Sequence, residues 1–135
     1  MPWPRETTRF PEYWPPDIGR YWVQSRRSLE GKNWDVAAVM ARSALQIAAR
    51  LNGATGNNLK QEINSLGAKG LLPPIMIEWS HEVRELGTDS AHPAPGSAGP
   101  SSKDAGDIVE FLTRILTFLY QLPHQIEQYR ARKSK

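Results

Sequence analysis

Asn33-Trp34-Asp35-Val36-Ala37-Ala38-Val39-Met40-Ala41-Arg42-Ser43-Ala44-Leu45-Gln46-Ile47-Ala48-Ala49-Arg50-Leu51 reads as one α-helix. Asn33 suits its start, because an asparagine oxygen accepts an orphan amide proton of the first turn, and Asn52-Gly53 suits its end. Val36, Ala37, Val39, Met40, Ala44, Leu45, Ile47 and Ala48 spread apolar surface around most of the circumference. Such a helix is contacted from several sides, so it belongs at the centre of a bundle, and its alanines permit close approach. Arg42, Gln46 and Arg50 form one polar stripe at spacing four. A half-buried Arg42 needs a partner, since an unpaired charge in a core is expensive.

The chain on either side continues the helical theme. Upstream, Ile18, Tyr21, Trp22, Ser25 and Leu29 recur at three and four from Pro16-Asp17 to a stop at Gly31, with Arg20, Arg26 and Arg27 on a solvated face. Before that, residues 1–16 carry Pro2, Pro4, Pro11, Pro15 and Pro16 with Trp3, Phe10, Tyr13 and Trp14. Proline at that density prevents a helix, and four aromatics are costly to leave in water. An extended arm is expected, docked on its own body in preference to a protein partner.

Downstream, Asn57 and Asn58 offer caps for a helix over Leu59–Leu66, with Leu59, Ile63 and Leu66 inward. Gly67-Ala68-Lys69-Gly70 has the spacing of a phosphate-clamping loop of the KH fold, but that fold needs strands the sequence does not suggest, so a helix end and turn is the reading. Pro73-Pro74 opens the next helix, with Ile75, Met76, Trp79, Val83 and Leu86 inward and Glu78, His81, Glu82 and Glu85 outward. His81-Glu82-Val83-Arg84-Glu85 resembles the start of a zinc-protease motif, yet Glu85 stands where the second histidine would be. His81 and Glu85 therefore read as a solvated pair, and no metal site is expected. Residues 93–102 are loop by composition. A last helix from near Ser102 turns Ile108, Phe111, Leu112, Ile115, Leu119 and Leu122 inward, adds Val109, Leu116, Phe118 and Tyr120 as a second apolar side, kinks at Pro123, and runs on as a polar helix. The fold class is all-α, an antiparallel four- to five-helix bundle: an arm over 1–16, one domain over 17–128 and a basic tail over 129–135.

Composition narrows the function. The chain has 135 residues, enough for one domain and one core, and no cysteine, which excludes disulfides, thiolate metal sites and a cysteine nucleophile. Its net charge is +3, but the four cations of Tyr129–Lys135 exceed that, so the remainder sums to −1. The basicity belongs to the tail, and the body lacks the broad basic face of an obligate nucleic-acid binder. Nothing calls for a cofactor. Without a signal peptide or an apolar span, a cytoplasmic protein off the membrane is expected.

One segment concentrates reactive side chains: Ser80-His81-Glu82-Val83-Arg84-Glu85-Leu86-Gly87-Thr88-Asp89-Ser90-Ala91-His92. On a single helix, Arg84, Thr88 and His92 stand four apart on one face able to grip a phosphate and move a proton. Pro93 disfavours the α conformation at His92, which places the histidine at the helix C-terminus, where the macrodipole favours its charged form. Gly87 either caps the helix early or gives room for close approach.

With Arg42-x-x-Leu45, the connection Leu66-Gly67 to Leu72, the run Val83 to His92, and a long apolar helix ending Leu119-Tyr120-Gln121-Leu122-Pro123, the order of features resembles the domain-of-unknown-function 4145 family, a branch related to the HEPN superfamily. The likeness covers about residues 20–123, and its most specific part is Arg84-x-x-Gly87-x-x-x-Ala91-His92. It implies a helical bundle, commonly a homodimer, associated with nucleic-acid metabolism, restriction or phage–host conflict. In ribonuclease members of the wider superfamily, arginine and histidine from two subunits meet without a metal. On that pattern Arg84 would stabilise charge on the phosphate and His92 would act as general acid or base, with Thr88, Asp89, Arg42 and Gln46 in support. The family places asparagine where this chain has Thr88 and glutamate where it has Gln46. Three functions follow as expectations: a dimeric binding or accessory module for RNA or a nucleotide in defence or counter-defence, a metal-independent ribonuclease, or an adaptor using residues 1–16.

Overall fold

A computed structural model describes residues 9–87 and 99–133. The described chain is helical, in the order α1 (Pro16–Glu30), α2 (Trp34–Leu51), α3 (Leu59–Ala68), α4 (Pro74–Glu82), a 3₁₀ turn (Arg84–Gly87), α5 (Ser102–Leu116), a π turn (Thr117–Gln121) and α6 (Leu122–Lys133). α1 to α5 build the bundle. α2 lies at its centre, against α1, α3, α5 and the 3₁₀ turn. Among the described residues no helix is long and apolar enough to cross a membrane.

Side chains set the helix starts. Asn33 accepts from the Val36 amide and Asn58 from the Gln61 amide, while Ser101 and Asp104 close a reciprocal capping box at α5. Three helices end in the same way. After α2 and α3 the chain turns through Gly53 (φ +84°) and Gly70 (φ +80°), and the two amides that follow each C-cap bond back to carbonyls of the last turn. After α1 the same bonds form, Lys32 to Leu29 and Asn33 to Ser28, but the left-handed residue is Lys32 (φ +61°). Gly31, expected as the stop, stays at φ −80°.

The core face of α2 is narrower and smaller than its composition suggests. Ala37, Ala41, Ala44, Leu45, Ala48 and Ala49 are fully buried, whereas Val36, Val39, Met40 and Ile47 are half-buried. Alanine lets neighbouring helices approach so closely that the bulkier side chains are left at the edges of the contacts. Phe111 fills the centre from α5, edge-on to Trp79 at 5.3 Å between ring centroids. Trp22 Nε1 donates to Thr113 Oγ1 at 2.9 Å, joining α1 to α5.

The arm from Arg9 onward docks on its own body. Trp14 is buried, edge-on to Trp22 at 5.1 Å, and the Phe10 ring lies over Gly19, where a β-carbon would overlap it. Arg26 departs from the solvated reading: it is half-buried over the Trp22 ring, 4.9 Å from its centroid. Ile75 and Leu122, expected inward, are 65% and 39% exposed. Ahead of Pro123 the helix widens into the π turn, in which the Leu122 amide reaches back to the Thr117 carbonyl. Widening the turn ahead of a residue that has no amide proton lets helix continue beyond it. α6 runs through Tyr129–Lys133, so the described part of the basic tail is helical.

Candidate functional site

The helix expected through residues 80–92 ends at Glu82. Val83 turns extended (φ −81°, ψ 105°), and Arg84 to Gly87 form the 3₁₀ turn. A continued α-helix would keep Val83 and Leu86 on the core side with Met76 and Ser80 but would turn Glu85 to the opposite face; with the break, Val83, Glu85 and Leu86 are all buried. His81 and Arg84 consequently belong to different elements. Thr88, Asp89 and His92 lie outside the described residues.

Glu85 is the largest departure from the sequence reading. Expected on the solvated side beside His81, it is 7% exposed. His81 instead has Nε2 3.2 Å from Asn64 Oδ1, so the two do not share a face. Burial raises the Glu85 pKa above its ordinary value, an effect opposed by Arg84, increased by Asp104, opposed by Arg42 and increased by Asp35.

Around Glu85 two of the candidate site residues meet. Arg42, on α2, donates through Nη1 to the Glu85 backbone carbonyl. Arg84 places Nη1 2.8 Å from Asp104 Oδ2 and 3.6 Å from Glu85 Oε2. Asp104 also accepts from the Ser101 amide at 3.1 Å, and that bond, followed by Arg84, holds its carboxyl below the ordinary carboxylate value. The cluster thus binds three elements together: α2, the 3₁₀ turn and the start of α5. Gly99 closes the same corner, since a β-carbon there would come within 2.5 Å of Asp35 Oδ1. Sequence reasoning missed Glu85 and Asp104. The spacing Ser101-x-x-Asp104 would have signalled the second as a capping residue.

Gln46 stands one turn further along α2 and shares a groove of about 320 Å³ with Arg42, Asn57, Asn58 and Leu59. The groove joins the polar stripe of α2 to the capped start of α3. Beyond it, Arg50 Nε bonds Glu62 Oε2 at 3.0 Å. Chemically, the groove offers cationic and amide donors of the kind that hold phosphate or carbonyl oxygens. The Arg84 cluster offers a guanidinium already facing carboxylates.

One family model, described as a domain of unknown function (DUF4145), matches residues 24–132. No curated protein and no solved structure gives a significant match.

Proposed function

Because the chain belongs to the DUF4145 family, a domain of unknown function, we propose a binding role: a HEPN-like dimeric accessory module of the cytoplasm that holds an RNA or nucleotide phosphate in a prokaryotic or phage defence or counter-defence setting. The observation that carries this reading over the ribonuclease one is the state of Arg84. Its guanidinium lies 2.8 Å from one carboxylate and 3.6 Å from a second. A cation so neutralised is poorly placed to stabilise charge developing on a phosphate, where preorganised and uncompensated donors are needed. Arg84 serves instead to fix the corner at which the chain enters residues 88–98. The groove of Arg42, Gln46, Asn57 and Asn58 is the proposed phosphate seat, because Gln46 and the two asparagines add neutral amide donors beside Arg42, whose Nη1 also donates to the Glu85 carbonyl.

Fluorescence anisotropy with a labelled single-stranded RNA in the presence of a chelator tests the proposal. Binding that weakens as salt rises, with the RNA intact, is expected. Gln46→Ala with Asn57→Ala should weaken it about tenfold, equivalent to one or two lost hydrogen bonds. RNA shortened by the wild type and spared by His92→Ala would establish the ribonuclease. Absence of RNA or nucleotide binding would overturn the module reading in favour of an adaptor.

A further inference from the structure

Among the described residues, α6 packs against none of the five bundle helices. It leaves the body through the π turn, and a Tyr13–His124 ring stack, 3.9 Å between centroids, ties its first turn to the N-terminal arm. Beyond that turn every described α6 residue is exposed. Three exposed residues of α6 are large and apolar: Leu122 at 39%, Ile126 at 48% and Tyr129 at 54%. Their spacing of four and three sets them on one face, and Lys133 follows four residues later on the same line. Twelve helical residues without packing are marginal in water, and an apolar stripe on them needs a cover.

The body of the same chain carries a matching surface. On α4, Ile75 is 65% exposed and shares its face with half-buried Trp79 and with Glu78 and Glu82, forming a shallow apolar groove with an acidic rim. The end of α6 is basic, with Arg130, Arg132 and Lys133 around the line of its stripe, whereas Glu127 points to the other side. Aligned in parallel, the two helices match in order: Ile126 meets Ile75, and seven residues later in each, Lys133 meets Glu82. α6 makes no packing contact with its own α4.

We propose that α6 docks in the α4 groove of a second copy of the chain. Exchange in both directions gives a closed two-fold pair, with each groove filled by the partner's helix and no free end left to propagate a filament. The inference rests on the dimeric part of the function proposed above and supplies its interface, using residues remote from the Arg42 groove.

Analytical ultracentrifugation of the full-length chain at micromolar concentration tests it, with RNA anisotropy on the same samples. A dimer is expected for the wild type. Ile126→Asp and Ile75→Asp, each at an exposed position, should separately give monomers that keep the helical circular dichroism of the bundle, with a loss no greater than the twelve residues of α6. Glu78→Lys with Glu82→Lys should weaken the dimer about tenfold or more, and adding Arg132→Glu with Lys133→Glu should restore it. A monomeric wild type overturns both the docking and the dimeric reading. A dimer that survives both aspartate substitutions overturns the docking alone. Dissociation by Ile126→Asp with no effect of Ile75→Asp assigns α6 to pairing with itself and also overturns it. Loss of RNA affinity on reversing the α6 charges, with the dimer intact, assigns the helix to nucleic acid instead.

Discussion

The Arg84 guanidinium lies 2.8 Å from the Asp104 carboxylate oxygen that also accepts the Ser101 amide, so one oxygen serves both an ion pair and a helix cap. The two roles differ in strength. The pair is exposed on the arginine side, where solvent and side-chain entropy offset most of the attraction, while the cap satisfies a backbone donor that α5 cannot otherwise use. A double-mutant cycle of Arg84→Ala and Asp104→Asn should give a coupling of about 0.2–1 kcal/mol that shrinks in high salt. Ser101→Ala alone should cost about 1 kcal/mol. Urea denaturation measures both, and a salt-insensitive coupling well above that range would mean that the ion pair, not the cap, holds the corner.

Glu85 and Asp104 pull stability in opposite directions with pH. The buried Glu85 has its pKa raised above 4.5, so the folded state holds its proton more tightly than the unfolded chain. Its contribution is greatest in acid and is lost as pH rises from about 4.5 through the folded value. Asp104 has its pKa lowered below 3.8, so its contribution is present above that value and is lost as pH falls through the folded one. Glu85→Gln should therefore flatten the decline of stability on the neutral side of pH 4.5 and leave the acid limb in place. Asp104→Asn should blunt the acid limb. Thermal melts across pH 3 to 8 distinguish the two, and identical profiles for wild type and Glu85→Gln would contradict the burial argument.

Much of the bundle is legible in the sequence because local chemistry dictates it. Asn33 and Asn58 announce their helices, proline excludes helix from the arm, and the all-round apolar character of α2 marks the central helix. The site is less legible because its geometry is set by tertiary packing. Nothing local ends α4 at Glu82; a continued helix would keep Val83 and Leu86 inward but hold Glu85 on the far side, and it is the turn that carries Glu85 inward and Arg84 toward α5. A periodicity argument extends the helix straight through and puts Glu85 in water. The identity of the residue that takes the left-handed turn after α1 is equally hidden, since Gly31 is the natural choice and Lys32 is the one used.

That choice is testable. A side chain at φ +61° brings its β-carbon against the backbone, at a cost of about 1 kcal/mol that glycine avoids. Lys32 is exposed, so removing its side chain loses little packing. Lys32→Gly should raise stability by about 0.5–1 kcal/mol despite the greater freedom of glycine in the unfolded chain. Denaturant midpoints decide it, and a destabilised variant would mean that the lysine side chain holds the turn through a contact of its own.

Two glycines inside helices should respond in opposite ways to alanine. Gly19 lies on α1 under the Phe10 ring, and any β-carbon there overlaps it. Gly106 lies on α5 with open space around the same position. Gly106→Ala gains helix propensity and restricts the unfolded chain, so it should stabilise by about 0.5–1 kcal/mol. Gly19→Ala gains the same but lifts Phe10, and with it the segment that carries buried Trp14, so it should destabilise by about 1–3 kcal/mol, the scale of one large apolar side chain returned to water. It should also open the arm to trypsin at Arg9, which is exposed and adjoins Phe10. If Gly19→Ala is as stable as Gly106→Ala and is cut no faster than wild type, the ring does not rest on the helix. The arm would then owe its position to Trp14 against Trp22 and to the Tyr13–His124 stack.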